Sequence, residues 1–218
     1  MKSLYLTDNN INRQSENFLR QIGRFPINTR VRFNLQESAL LVLDMQDFFL
    51  NSSSHAYIPS AVAIIERINL LIRLYKQHHR PVICTEHINS LEDAGMMSVR
   101  WREIITSDNP LYKISSDIDI GDSEVMRKTQ YDAFHDTGLD ALLRLHGVKQ
   151  VTVTGVMANL CCETTARNAF VRGFAVFFPA DTCAAYNEEF HLATLRNLAF
   201  GFADIVTSQW ILEQIGRD

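Results

Sequence analysis

The sequence contains no apolar run approaching the roughly 20 residues of a membrane-spanning helix, and its first thirty residues are too polar for a secretory leader. No membrane partner is expected, and a cytoplasmic location is. An excess of one charge is also missing: 21 Lys and Arg stand against 25 Asp and Glu, for a formal net charge of -4. No Lys/Arg cluster interleaved with aromatics occurs, so nucleic acid is not an expected partner and a small-molecule substrate is. CxxC, HExxH and other spaced Cys/His sets are absent, which removes the sequence basis for a bound metal, and no cofactor is expected. The GxSxG elbow and the GxxxxGK phosphate loop are missing too. There is no internal repeat and no low-complexity linker.

Cysteine is scarce. Cys84, Cys161, Cys162 and Cys183 are read as thiols, because a cytosolic chain of this size rarely relies on disulfides. What remains is ordinary globular composition, with 46% hydrophobic residues in 218, enough for one sizeable core.

Short apolar runs alternate with helical patterns. Ala39 to Leu43 is too uniformly apolar for a strand with one wet face, so helices are expected on both sides of it. From Pro59 to about His79, the residues Val62, Ile65, Ile68, Leu71, Ile72 and Tyr75 recur at helical spacing, with His78 and His79 at a solvated end. Further strands are expected at Pro81 to Thr85, Glu124 to Arg127, Lys149 to Thr154, Ala175 to Phe178 and Ala203 to Val206. Helices are expected near Gly138 to His146, Leu160 to Arg172 and Glu188 to Phe200, with a last short one at the end. This alternation predicts an α/β, doubly wound parallel sheet. The long polar stretch from Glu86 to about Ser123 is a candidate active-site cover. Residues 1–36 fall outside the rhythm and read as an N-terminal extension to a domain over 37–218. Phe18, Leu19, Ile22 and Phe25 form one apolar helix stripe there, suited either to a neighbouring subunit or to the chain's own sheet.

Ligands of open parallel sheets bind outside the carboxyl ends of the strands, so polar residues there carry most weight. Asp44 ends the first strand, Lys128 the third, and Cys161 lies just past the fourth, where a helix start favours a thiolate. Singly, each has an ordinary reading: a turn cap, a solvated lysine, a small buried apolar side chain. Together they supply a proton acceptor, an ammonium that stabilises an anion, and a nucleophile, the parts of acyl transfer. Cys162 is a competing thiol that local physics does not separate from its neighbour, since the two project about 100° apart on a helix. His87 and His135 suggest a Cys-His pair, but no papain-like or caspase-like signature accompanies them, and each reads equally as pocket wall or surface.

The pieces Leu43-Asp44-Met45-Gln46, Lys128-Thr129-Gln130-Tyr131-Asp132-Ala133-Phe134 and Gly155-Val156-Met157-Ala158-Asn159-Leu160-Cys161-Cys162, with Thr165-Ala166 and Ala169, resemble the isochorismatase-like cysteine hydrolases in kind and order. The resemblance spans Ala39 to about Leu212. It implies a three-layer, Rossmann-like fold around a six-stranded parallel sheet, a homodimer or homotetramer, and a catalytic triad of Asp44, Lys128 and Cys161. It also implies a cis peptide at Val156-Met157 and an oxyanion hole from the backbone N–H groups of Met157 and Cys161. Cysteine at 161, where vinyl-ether-cleaving isochorismatases carry a small residue, points to an amidohydrolase. Thr85-Glu86-His87-Ile88-Asn89 departs from the Asp-Trp-His metal signature of the nicotinamidase branch.

The expected reaction is therefore hydrolysis of a C–N bond in a small non-peptide amide or ureido/carbamoyl compound through a Cys161 thioester. The alternatives are isochorismatase-type vinyl-ether hydrolysis with Asp44 as general acid, and a non-catalytic small-molecule-binding or thiol redox-sensing protein. Gln46, Phe48, His87, Trp101 and Tyr131 are the expected pocket walls.

Overall fold

The apolar run at 39–43 lies within strand β1 (Ser38–Leu43), every residue of which is buried. The computed structural model describes residues 1–23 and 31–215; Phe25 of the expected apolar stripe lies outside them. Parallel neighbours flank β1 on both sides, β2 (Val82–His87) and β4 (Gln150–Val156), and β4 too is buried throughout. A central strand of a parallel sheet has helices over both faces, which is why these sequences are apolar without alternation. β3 (Glu124–Lys128) pairs with β2; on the other side β5 (Ala175–Pro179) pairs with β4, and β7 (Asp204–Val206) with β5.

The order β3-β2-β1-β4-β5-β7 makes the expected doubly wound parallel sheet, with a seventh, two-residue strand β6 (Cys183–Ala184) beside the end of β4. Two residues carry no readable period, so β6 had no sequence signal. Chain order reverses between β1 and β4, and the crevice outside their carboxyl ends is the place where such sheets bind ligands.

Helices α1 (Ile11–Ile22), α2 (Asp47–Leu50), α3 (Ile65–Gln77), α4 (Met97–Arg100), α5 (Leu139–Leu145), α6 (Glu163–Val171), α7 (Glu188–Gly201) and α8 (Ser208–Ile215) cover the sheet. The helix expected from Pro59 divides into a 3-10 turn (Pro59–Ile64) and α3, which buries Ile68, Leu71, Ile72 and Tyr75. The Tyr75 hydroxyl lies 2.8 Å from both Ser38 Oγ and Thr152 Oγ1, tying α3 to β1 and β4 through groups that would otherwise be buried without partners. Burial pushes the Tyr75 phenol up to about 12.

Gly155 has φ 112°, and a Cβ built there would lie 2.1 Å from the Leu43 carbonyl oxygen. Only glycine lets β4 approach the end of β1 this closely. Helix α1 lies against α7: Phe18 is fully buried, 4.9 Å from the His191 ring, while Leu19 and Ile22 are half-buried. The stripe thus covers the chain's own fold. Residues Ser3 to Leu6 are hydrogen-bonded to Ser60 and Tyr186, and Leu6 is buried. Among the described residues no helix is long and apolar enough to cross a membrane.

Candidate active site

Register assembles the site. β2 and β3 pair His87 with Lys128, and β1 and β4 pair Leu43 with Gly155, so Asp44, His87, Lys128 and the segment after Val156 meet at one edge. Asp44 leaves the sheet with φ 53°, a left-handed conformation that Asp tolerates better than most residues. Its Oδ1 accepts from Thr85 Oγ1 at 2.6 Å, and the Asp44 N–H is bonded to the same hydroxyl at 3.1 Å. Thr85 therefore fixes both ends of the residue.

Lys128 is the hub. Its Nζ lies 2.8 Å from Asp44 Oδ2, 3.3 Å from Cys161 Sγ and 3.1 Å from His87 Nδ1, and donates to the Gln130 carbonyl at 2.9 Å. Both members of the Asp44–Lys128 pair have 0% exposed side chains. Burial opposes the ammonium, but the Asp44 carboxylate, with the Cys161 sulfur beside it, outweighs burial and holds the lysine above its usual range. Because His87 Nδ1 faces an ammonium it accepts, and its Nε2–H donates to Asn89 Oδ1 at 2.9 Å. Burial and the Lys128 charge push His87 down to about 4, so the ring is neutral at pH 7.

Cys161 lies in a π-helical turn, Ala158–Cys162, that precedes α6. The Val156-Met157 peptide before it is cis. The thiolate expected from a helix start is not the resting form. Burial and the Asp44 carboxylate raise the thiol to about 12 against the opposing pull of Lys128, so the proton has to be taken during the reaction. The Asp44 carboxylate, a His87 ring nitrogen and Cys161 Sγ lie within 4.8 Å of one another, and Asp44 Oδ2 takes no hydrogen bond beyond its contact with the ammonium. An acceptor is within reach of the thiol.

That same trio has the donor types of a metal site. Lys128 Nζ, however, already lies 2.8 Å, 3.1 Å and 3.3 Å from an atom of each, so their central cation is an ammonium and the set does not fit a resident metal.

Cys161 opens into a cavity of about 310 Å³ whose walls include Phe48, His87, Trp101, Tyr131 and Met157. Trp101 Nε1–H donates to the Tyr131 hydroxyl at 2.8 Å, joining the cover segment to the loop after β3. Four of the five expected wall residues thus face one space. Gln46 is the correction: it is fully buried behind the wall, where its Oε1 accepts from the His87 N–H at 2.9 Å and its Nε2 donates to the carbonyls of His87 and Tyr112. It holds the end of β2 against the cover and is not among the residues that line this cavity. Cys162 is fully buried in the core, with its Sγ toward the Thr154 carbonyl, and His135 is on the surface beside Asp136.

Sequence reasoning missed Thr85, Asn89 and the Gln130 carbonyl. A threonine inside a buried strand was the available signal for the first. Nothing in the sequence ties a carbonyl oxygen to an ammonium.

The isochorismatase domain model matches residues 38–209. Nicotinamidase 3 of Arabidopsis thaliana is 41% identical over 79% of this chain and 86% of its own length. Enterobactin synthase component B of Escherichia coli is 32% identical over 83% of this chain, which spans 64% of that protein. A cysteine hydrolase from Pseudomonas syringae pv. phaseolicola 1448A has the same fold with a TM-score of 0.82 and 25% identity, over 86% of this chain and 96% of its own.

Proposed function

We propose, from the premise that this chain belongs to the isochorismatase family and is a hydrolase, that Cys161 attacks the carbonyl of a small amide or ureido/carbamoyl compound and passes through a thioester. One observation carries the reading: a single buried ammonium, Lys128, lies between the carboxylate of Asp44 and the thiol of Cys161, and that thiol opens into the cavity.

Asp44 takes the Cys161 proton while Lys128 stabilises the sulfur anion. The C–S bond then forms, and the tetrahedral oxyanion meets the N–H groups of Met157 and Cys161. Protonated Asp44 gives its proton to the leaving nitrogen as the C–N bond breaks. In the second half Asp44 accepts a proton from water, hydroxide adds to the thioester, and collapse releases the acid while Asp44 returns the proton to sulfur. General acid-base help of this kind is worth about 10²- to 10⁴-fold, and one oxyanion donor about 10²- to 10³-fold. Thr85, Asn89 and His87 act by position, fixing Asp44 and the ammonium. The relatives named for amide hydrolysis and cysteine chemistry support this reading. Four free, buried thiols suit the cytoplasm, and a homodimer or homotetramer is the expected assembly.

The test is a screen of nicotinamide, other small amides, carbamoyl compounds and isochorismate against wild type and Cys161→Ala. Loss of amide turnover in the variant is expected. Amide turnover at the wild-type rate would overturn the covalent route, and isochorismate cleavage that survives the substitution would favour Asp44 acting as general acid.

A further inference from the structure

The N-terminal segment, which the catalytic scheme leaves unused, reaches the catalytic cavity. Lys2 lies in its wall together with Tyr186 and His55. Its Nζ donates to the His55 carbonyl at 2.5 Å and sits 4.5 Å from the centre of the Tyr186 ring. Both partners are neutral, and burial lowers the lysine below its ordinary value.

The position is built by the strap's own anchors. On one side Ser60 Oγ accepts from the N–H groups of Tyr5 and Leu6, at 2.9 and 3.1 Å. On the other, the Ser3 N–H donates to the Tyr186 carbonyl at 2.8 Å, and Asn187 Nδ2 to the Met1 carbonyl at 3.1 Å. Leu6 is buried and the Tyr5 hydroxyl accepts from the Ala185 N–H at 2.9 Å. Lys2 is thus held between two fixed points of the fold.

Among the described residues, the charges around the cavity leave one cation in excess. At the floor, Lys128 and Asp44 neutralise each other. In the wall, Lys2 and Arg102 stand against a single carboxylate, Glu103, which lies 3.6 Å from His55 Nδ1. Lys2 is exposed at the cavity wall, and a cation there with a carbonyl and a ring face beside it gains from an anion arriving in the cavity.

We propose that Lys2 is a specificity residue: the strap presents its ammonium to substrates that carry a carboxylate or similar anion at the end remote from the scissile carbonyl. The substrate class is then an anionic amide or ureido acid, bound with its carbonyl at Cys161 and its charge at Lys2. This rests on Cys161 being the nucleophile.

The experiment uses two thiol reagents that differ in charge, N-ethylmaleimide and 3-maleimidopropionate, with modification of Cys161 followed by mass spectrometry in the 218-residue chain. In Lys2→Glu, the rate with the anionic reagent is expected to fall about tenfold relative to wild type, and the rate with the neutral one to stay within about twofold. Lys2→Arg should keep most of the anionic rate, and added salt should narrow the gap between wild type and Lys2→Glu. Equal changes for both reagents, or no change for either, overturn the proposal. If Cys161→Ala keeps wild-type amide turnover, the nucleophile reading itself fails and the selectivity falls with it; if Cys161 is required for turnover and neither reagent modifies it, the selectivity alone is overturned.

Discussion

Lys128 Nζ and Asp44 Oδ2 lie 2.8 Å apart with neither side chain exposed. A buried pair of this kind contributes little net stability when intact, yet removing one partner leaves an uncompensated charge in a low-dielectric interior. Lys128→Met is therefore expected to cost about 3–5 kcal/mol, read as a lower urea midpoint at unchanged slope. The double variant Asp44→Asn/Lys128→Met should regain most of that stability and none of the activity. A Lys128→Met protein as stable as wild type would show that water or a rearranged Asp44 compensates the charge.

For Cys161, the rate of alkylation by iodoacetamide is expected to keep rising with pH through pH 10, because the thiol is held up near 12 by burial and Asp44. Lys128 favours the thiolate, so Lys128→Met should react more slowly still. Asp44→Asn should lower turnover about 10²- to 10⁴-fold, the usual share of a general acid-base group. Cys162→Ala should leave turnover intact and cost only stability, since Cys162 is packed in the core. A plateau of the alkylation rate near pH 7 would mean a resting thiolate and would remove the need for Asp44 as base.

Two histidines set an acid limit. Burial holds His191 near 3, and burial with the Lys128 charge holds His87 near 4, against an ordinary value near 6.5. Below pH 6.5 the unfolded chain takes up these protons while the folded one does not, so the stability present above pH 6.5 is lost as pH falls towards 4. His191→Phe is expected to flatten that loss. NMR should find neither ring titrating between pH 5 and 8; a titration of the His87 ring within that range would falsify its place beside the ammonium.

Gly155→Ala tests the junction of β1 and β4. The new Cβ would meet the Leu43 carbonyl oxygen at 2.1 Å, and the backbone there has φ 112°. Strain and overlap together are expected to cost at least about 3 kcal/mol, measured by urea denaturation. A variant of wild-type stability would mean that the strands can part at this point.

The strands were legible because β1 and β4 are buried on both faces and so are apolar without alternation. The helix stripe of Ile68, Leu71, Ile72 and Tyr75 was legible for the matching reason, one face of a helix against one sheet. The 3-10 turn from Pro59 and strand β6 were not, because their few residues are shaped by tertiary neighbours. Gln46 was misplaced for a similar cause: position after a strand end does not tell which way a side chain turns, and here it turns inward to satisfy the His87 backbone.

The sequence by itself determined the doubly wound sheet, the family, and the three residues Asp44, Lys128 and Cys161 that strand order brings to one edge. Tertiary structure alone decided the protonation of Lys128 and Cys161, since the cost of a charge depends on burial and on neighbours contributed by separate strands and loops. It turned the expected thiolate into a thiol awaiting a base and placed the ammonium at the centre of a potential metal trio. It also brought Lys2, 159 positions before Cys161 in the sequence, into the wall of the same cavity. Periodicity speaks for neighbours along one element; proximity across the chain is fixed only when the core closes.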